Sequence, residues 1–159
     1  MQPAATVTST RSTASTPTAT HTTVASVTAT PTAAAHVVIN EVEYNSVHAN
    51  DDEAYYEWLE LYNPLAVFIN LRGWTIGDNT ASDTLGETTI APGGLLVIVA
   101  RRVRFLENYP SFSGLLVELG QPIGNGLANS GDRLILRDAG GHVIDAMSYG
   151  NDASVLSPP

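Results

Sequence analysis

From His36 onward the chain is a series of short apolar runs, each closed within a few residues by Gly, Pro, Asn or Asp. The longest run, Leu95-Leu96-Val97-Ile98-Val99-Ala100, is only six residues. That length suits a strand and is far short of the roughly 20 residues needed to span a bilayer. Strand-length runs at this spacing, rich in Val, Ile, Leu and aromatic residues, predict an all-β sandwich or barrel. The runs fall at 37–44, 55–62, 67–71, 74–76, 88–90, 95–100, 115–119, 134–136 and 143–147. Asn63-Pro64 closes the second, because Pro cannot donate to a ladder and pushes its predecessor out of helical conformation. Ala91-Pro92-Gly93-Gly94 turns into the sixth, and Asp138-Ala139-Gly140-Gly141 is a hairpin signal between the last two. Residues 101–109 are the one predicted helix, with Val103, Leu106 and Phe105 on its apolar side and Pro110 as its stop. Residues 77–86 read as loop, and nothing in the pattern suggests a parallel pairing.

The first 35 residues differ in kind. They are almost entirely Thr, Ala, Ser, Pro and Val, with Arg11 as their only charge. Such a segment cannot bury enough apolar area to offset its ordering entropy, so residues 1–35 are expected to be a disordered low-complexity linker. Thr-rich stretches with scattered Pro are common in O-glycosylated stalks, and an unmodified spacer fits as well. The domain is placed at residues 36–151 and a C-terminal tail at 152–159. No basic region followed by an apolar one opens the chain, so no signal peptide is read. The linker and the Pro-Pro ending suggest a piece of a longer protein with neighbouring domains.

Five ordered motifs carry a resemblance. They are Ile39-Asn40-Glu41-Val42; Glu57-Trp58-Leu59-Glu60-Leu61-Tyr62-Asn63; Leu71-Arg72-Gly73-Trp74-Thr75-Ile76-Gly77-Asp78; Ile90-Ala91-Pro92-Gly93-Gly94; and Leu127-Ala128-Asn129-Ser130-Gly131-Asp132, leading into Gly141-His142-Val143-Ile144-Asp145. In this order, over residues 37–149, they resemble the lamin tail domain family of bacterial type. The resemblance implies an immunoglobulin-like β-sandwich. It also implies a non-catalytic binding or structural accessory module of a larger secreted bacterial protein, located outside the cell or on its surface. The chain departs from the family pattern in lacking a further Ser-Leu segment after Tyr149, so a final edge strand is expected to be missing or supplied from elsewhere. The basic surface of DNA-approaching members is also not reproduced.

Charge and composition narrow the chemistry. The net charge is −9, and all seven basic residues are Arg. An acidic chain repels phosphate backbones, so nucleic acid and anionic membranes are not expected partners. Arg101, Arg102 and Arg104 are the only basic cluster that could hold an anion. A protein or cell-surface glycan is the expected ligand. With no Cys, disulfides, thiolate metal sites and Cys nucleophiles are excluded. There is no Gly-x-Ser-x-Gly, His-Glu-x-x-His or Walker loop, and the chain is read as not an enzyme. His48 lies near Asp51 and Asp52, and His142 near Asp145, without a catalytic pattern; His21 and His36 border the linker. Asn129-Ser130-Gly131-Asp132 lacks the helix and Lys of a phosphate cradle and reads as a turn.

Two sets of candidate site residues remain. In the second strand the two-residue period puts Leu59 and Leu61 on one face and Trp58, Glu60 and Tyr62 on the other. The plain reading has Trp58 covering a half-exposed sheet face; the functional reading makes Trp58, Glu60 and Tyr62 a ligand platform. The second set is acidic. Glu41, Glu43, Asp51, Asp52, Glu53, Glu57 and Glu60 lie within twenty residues with no basic residue among them. Asn50, Asp51, Asp52 and Glu53 could supply oxygen ligands to a Ca2+ cofactor, although they lack the Asp-x-Asp-x-Asp-Gly spacing of a calcium loop. A calcium-dependent adhesion module is therefore the alternative to a cofactor-free one, and a solvated acidic loop is the default.

Overall fold

A computed structural model describes residues 36–46 and 52–155. The expectations for residues 1–35, for Asn50 and Asp51, and for the last four residues lie outside these. Among the described residues there are ten strands: β1 Val38–Glu43, β2 Trp58–Tyr62, β3 Ile69–Asn70, β4 Thr75–Gly77, β5 Ser82–Thr84, β6 Thr89–Ile90, β7 Leu95–Val99, β8 Leu116–Glu118, β9 Arg133–Arg137 and β10 Val143–Ser148. One helix, α1, spans Arg102–Asn108. Two four-stranded sheets, ordered β1-β2-β7-β8 and β10-β9-β4-β5, face each other, with β3 and β6 as a separate two-stranded ribbon.

The core follows from strand alternation. Leu59 and Leu61 of β2 and Leu96 and Ile98 of β7 point inward from the first sheet; Ile76, Leu134 and Leu136 meet them from the second. All seven are fully buried. Each contributes about 1.5–3 kcal/mol of burial free energy, the dominant favourable term for such a fold.

Several features differ from the sequence reading, each for a physical reason. Tyr55 and Tyr56 do not extend β2: Glu53–Tyr55 is a single 3-10 turn, and the strand begins at Trp58. β5 falls within the expected loop. Its residues, Ser82-Asp83-Thr84, carry no apolar pattern, and pairing with β4 rather than burial of apolar side chains defines it. β8 runs parallel to β7, which the pattern had not suggested; α1 makes the crossover between them. Phe105 is the buried residue of α1, while Val103 stands 61% exposed on the opposite side. Residues 67 and 68 lie before β3 rather than within it.

The two long sides of the sandwich are finished differently. On one side the edges β1 and β10 meet. Each has a register shift, between Ile39 and Glu41 and between Val143 and Asp145. Ile39 donates its backbone N–H to Asp145 Oδ2 at 2.7 Å, and the rings of Tyr44 and Tyr149 stack with centroids 4.1 Å apart. On the other side lie the edges β5 and β8.

Candidate functional site

The outer face of the first sheet holds the candidate platform. Trp58, Val97 and Val99 form a second apolar cluster there with Phe105. Trp58 meets Phe105 and Tyr109 edge-on, at 5.9 and 5.7 Å between ring centroids, and is 8% exposed. α1 therefore lies over Trp58, and the indole is packing rather than platform. Its Nε1–H has no acceptor among the described residues. Glu60 and Tyr62 are half-buried farther along β2. Glu60 faces Glu41 across the strand pair and accepts a hydrogen bond from Asn40 Nδ2 at 2.8 Å. Tyr62 pairs with Leu95, which is 47% exposed. Of the three platform residues, Glu60 and Tyr62 thus share a face near exposed apolar surface, and Trp58 is sealed away.

The loop after β2 carries further exposed apolar residues, and Asn63 explains its shape. Asn63 is fully buried, and its Nδ2 donates to the carbonyls of Val67, Ile90 and Ala91 at 2.8, 3.2 and 3.1 Å. Its Oδ1 accepts from Leu65 N at 3.1 Å, and its backbone pairs with Gly93 and Gly94. One polar side chain with every group satisfied ties together two turns. The loop so fixed presents Val67 and Phe68 at 56% and 70% exposure. The apolar run in the sequence hinted at these residues, but the periodic reading assigned them to a strand.

The acidic segment is already partnered where it is described. Asp52 pairs with Arg104 at 2.9 Å, and Glu53 accepts from Asn129 Nδ2 at 3.0 Å. Arg104 also pairs with Glu107 at 3.1 Å and lies over the Tyr56 ring, while Arg101 lies over Tyr55. Among the described residues no cluster of three His, Asp or Glu side chains is arranged to hold a metal. Asn50 and Asp51 are outside the described residues, so the full four-residue calcium set is not brought together here.

Four buried carboxylates do converge, on the loop 121–132, and the sequence reading missed them. Glu57 takes the N–H of Leu127 on both oxygens, at 3.1 and 3.0 Å. Asp78 accepts from Thr80, Ala81 and Asn125 N–H groups, Asp83 from Gly124 N and Gln121 Nε2, and Asp132 from Ala128 N and Asn79 Nδ2. Most of these donors are backbone N–H groups that lack a helix or sheet partner. Glu57 is the most deeply buried of the four. Burial pushes its carboxyl up from 4.5 to about 8, with Glu53, Asp132 and Asp78 adding to the rise against the lowering effect of the Leu127 N–H. Burial thus favours the protonated form of Glu57 in the folded chain. Burial also raises the Tyr149 hydroxyl, with Asp132 and Glu57 adding. The arrangement organises a loop; its carboxylate oxygens already have donors.

The two described histidines are similarly occupied. His142 Nδ1 sits 3.1 Å from Asp138 Oδ2 within the β9–β10 turn, and His36 Nε2 lies 3.6 Å from Asp145. Asp138 is lowered by hydrogen bonds from His142 and Gly140 backbone N–H groups, the mark of a turn-forming Asp. Among the described residues, no helix is long and apolar enough to cross a membrane.

No curated protein matches the chain. A family model, the Lamin Tail Domain, matches residues 30–151, most of the chain, and covers both sheets, the Asn63 turn and the carboxylate-held loop. Its members are immunoglobulin-like binding or structural modules, a non-enzymatic domain family. The chain belongs to the lamin tail domain family.

Proposed function

We propose that this domain is a non-catalytic binding module of a larger, secreted bacterial protein, working outside the cell or on its surface. Its ligand is a protein or a cell-surface glycan, met through the tip formed by Val67, Phe68 and Leu95 beside Tyr62. One observation carries this reading: a 70% exposed Phe is held by a loop that a fully buried Asn63 fixes. An exposed aromatic whose position is set before binding loses little freedom on contact, which is the property of interface anchors. Glu60 and Glu41 add an acidic flank to the same sheet. The Thr/Ala/Ser/Pro linker and the family resemblance support a place in a multidomain secreted chain. The test is a pull-down and glycan array with the whole chain and its Phe68→Ala variant. Loss of at least about tenfold in binding on removing the ring supports the reading. Equal binding by the two proteins overturns the tip as the contact.

Calcium-dependent adhesion through Asn50, Asp51, Asp52 and Glu53 is the second reading, supported by the run of carboxylates in the sequence. A ligand that binds only the native state raises Tm. Thermal melting with millimolar Ca2+ is expected to shift upward if this reading holds, and an unchanged Tm removes it.

A further inference from the structure

The side of the sandwich away from β1 and β10 carries a second binding feature, distinct from the Phe68 tip. A groove of about 320 Å³ runs between the edges β5 and β8. β5 bonds to β4 through its odd-numbered neighbours: Ala81 O accepts from Asp78 N, and Leu85 N donates to Trp74 O. The backbone N–H and C=O of Ser82 and Thr84 therefore point away from β4, toward the groove. No strand pairs with them among the described residues. The groove is also lined by Val117 and Leu119, half-buried residues packed against the core, and by Gln121 and the exposed Glu118. Gln121 Nε2 donates to Asp83 Oδ1, and Gly124 N donates to Asp83 Oδ2, so the loop 121–132 fastens β5 at the base.

We propose that β5 accepts an extended, cationic segment of a partner protein as an added strand. Three observations converge on this occupant. First, an unpaired ladder supplies sequence-independent main-chain bonds, and alternating pockets supply specificity. Here the alternate side chains of an added strand would face Val117 and Leu119. Second, the exposed charge lining the groove is Glu118, the other carboxylate there, Asp83, being buried with both oxygens already accepting; no basic residue lines the groove, and the chain carries a net charge of −9, which favours a basic segment. Third, the opposite side shows what closing an edge requires in this domain: bulges in both strands, an aspartate on the free Ile39 N–H and a stacked tyrosine pair. None of these devices is present at β5. Its three-residue length limits the ladder to about four main-chain bonds, enough for a short peptide and too little for indiscriminate sheet extension.

The test uses the whole chain and an eight-residue peptide alternating Val and Lys. At saturation, amide hydrogen exchange at Ser82 and Thr84 is expected to slow at least about tenfold, while Ile39 and the β10 amides are unaffected. The same peptide N-methylated at alternate residues should lose its effect, because its main-chain donors on one edge are gone. A Val/Glu peptide should bind at least about tenfold more weakly. Four results would each overturn the proposal: no slowing at millimolar peptide, equal binding after N-methylation of either edge, equal binding of the acidic peptide, or protection confined to β1 and β10. Repeating the titration with Phe68→Ala separates this groove from the tip: full protection at Ser82 and Thr84 is expected there, and its loss would place the contact at the tip instead.

Discussion

Along one side of the sandwich, β1 and β10 meet through bulges, a carboxylate on a backbone N–H and a ring stack. Along the other, β5 and β8 are each three residues long, and a groove separates them. The first side is closed by side chains of the edge strands and of the residues that directly follow them. The second takes its shape from elsewhere, since the loop 121–132 reaches β5 at Asp83 and is held by Glu57, Asp78 and Asp132. An edge can thus be closed locally, or left open while a distant loop keeps its form.

The largest expected effect comes from the point where the loop 121–132 meets the residues that follow β10. Gly131 has φ +144°, and a Cβ there would collide with the Asn151 backbone N–H and the Tyr149 carbonyl. Backbone cannot step aside cheaply, and the conformation is strained for any L side chain. Gly131→Ala is expected to lower stability by more than about 4 kcal/mol, measured by urea unfolding.

Next in size is Glu57, which tests the loop that shapes the open side. Its folded-state pKa of about 8 lies above the ordinary 4.5, so the folded chain keeps a proton that the unfolded chain releases. Its contribution to stability is therefore complete below about pH 4.5, declines as pH rises from 4.5 through 8, and is absent above that. Glu57→Gln keeps an acceptor for Leu127 N and cannot ionise. The variant should be more stable than the parent at pH 9, by roughly 3–5 kcal/mol if the whole shift is expressed. A parent whose stability is flat between pH 5 and 9 would contradict this account.

A smaller effect is expected at Asp145. Asp145→Ala leaves the Ile39 N–H without its carboxylate and should cost about 1–2 kcal/mol. It should also make β1 resemble β5, so that edge-to-edge association appears at high concentration in sedimentation experiments. Asp145→Asn, which keeps an acceptor, should be milder. The smallest change in stability is predicted for Phe68→Ala at the exposed tip, within about 0.5 kcal/mol. Its effect belongs to binding.

What could be read from the sequence follows from what each element depends on. β2, β7 and β9 were legible because their inward residues alternate and are aliphatic. β5 was not, since Ser82, Asp83 and Thr84 are held by hydrogen bonds that the linear pattern does not encode. The parallel pairing of β8 was hidden by the shortness of α1, a seven-residue helix in the crossover between two strands that each look like hairpin arms. Trp58 was placed on the correct face of β2, but nothing in the local sequence shows that α1 would lie on it. Glu57 is the clearest case: a carboxylate at the start of a strand reads as solvated, and its burial depends on Leu127, seventy residues away. Glu60 and Tyr62 were legible as neighbours; the contribution of Asn63 to the surface beside them was not.

Asn63 has one more consequence, which concerns chemical ageing. Its amide donates to three carbonyls, and hydrolysis to a carboxylate would replace that donor with charge facing three acceptors. Asparagine usually deamidates when the next residue's backbone nitrogen attacks the side-chain carbonyl. Here the next residue is Pro64, whose nitrogen carries no hydrogen. The same Pro that ends β2 therefore blocks the usual decay route of the residue that holds the tip, and the shape of that surface should outlast the more ordinary asparagines around it.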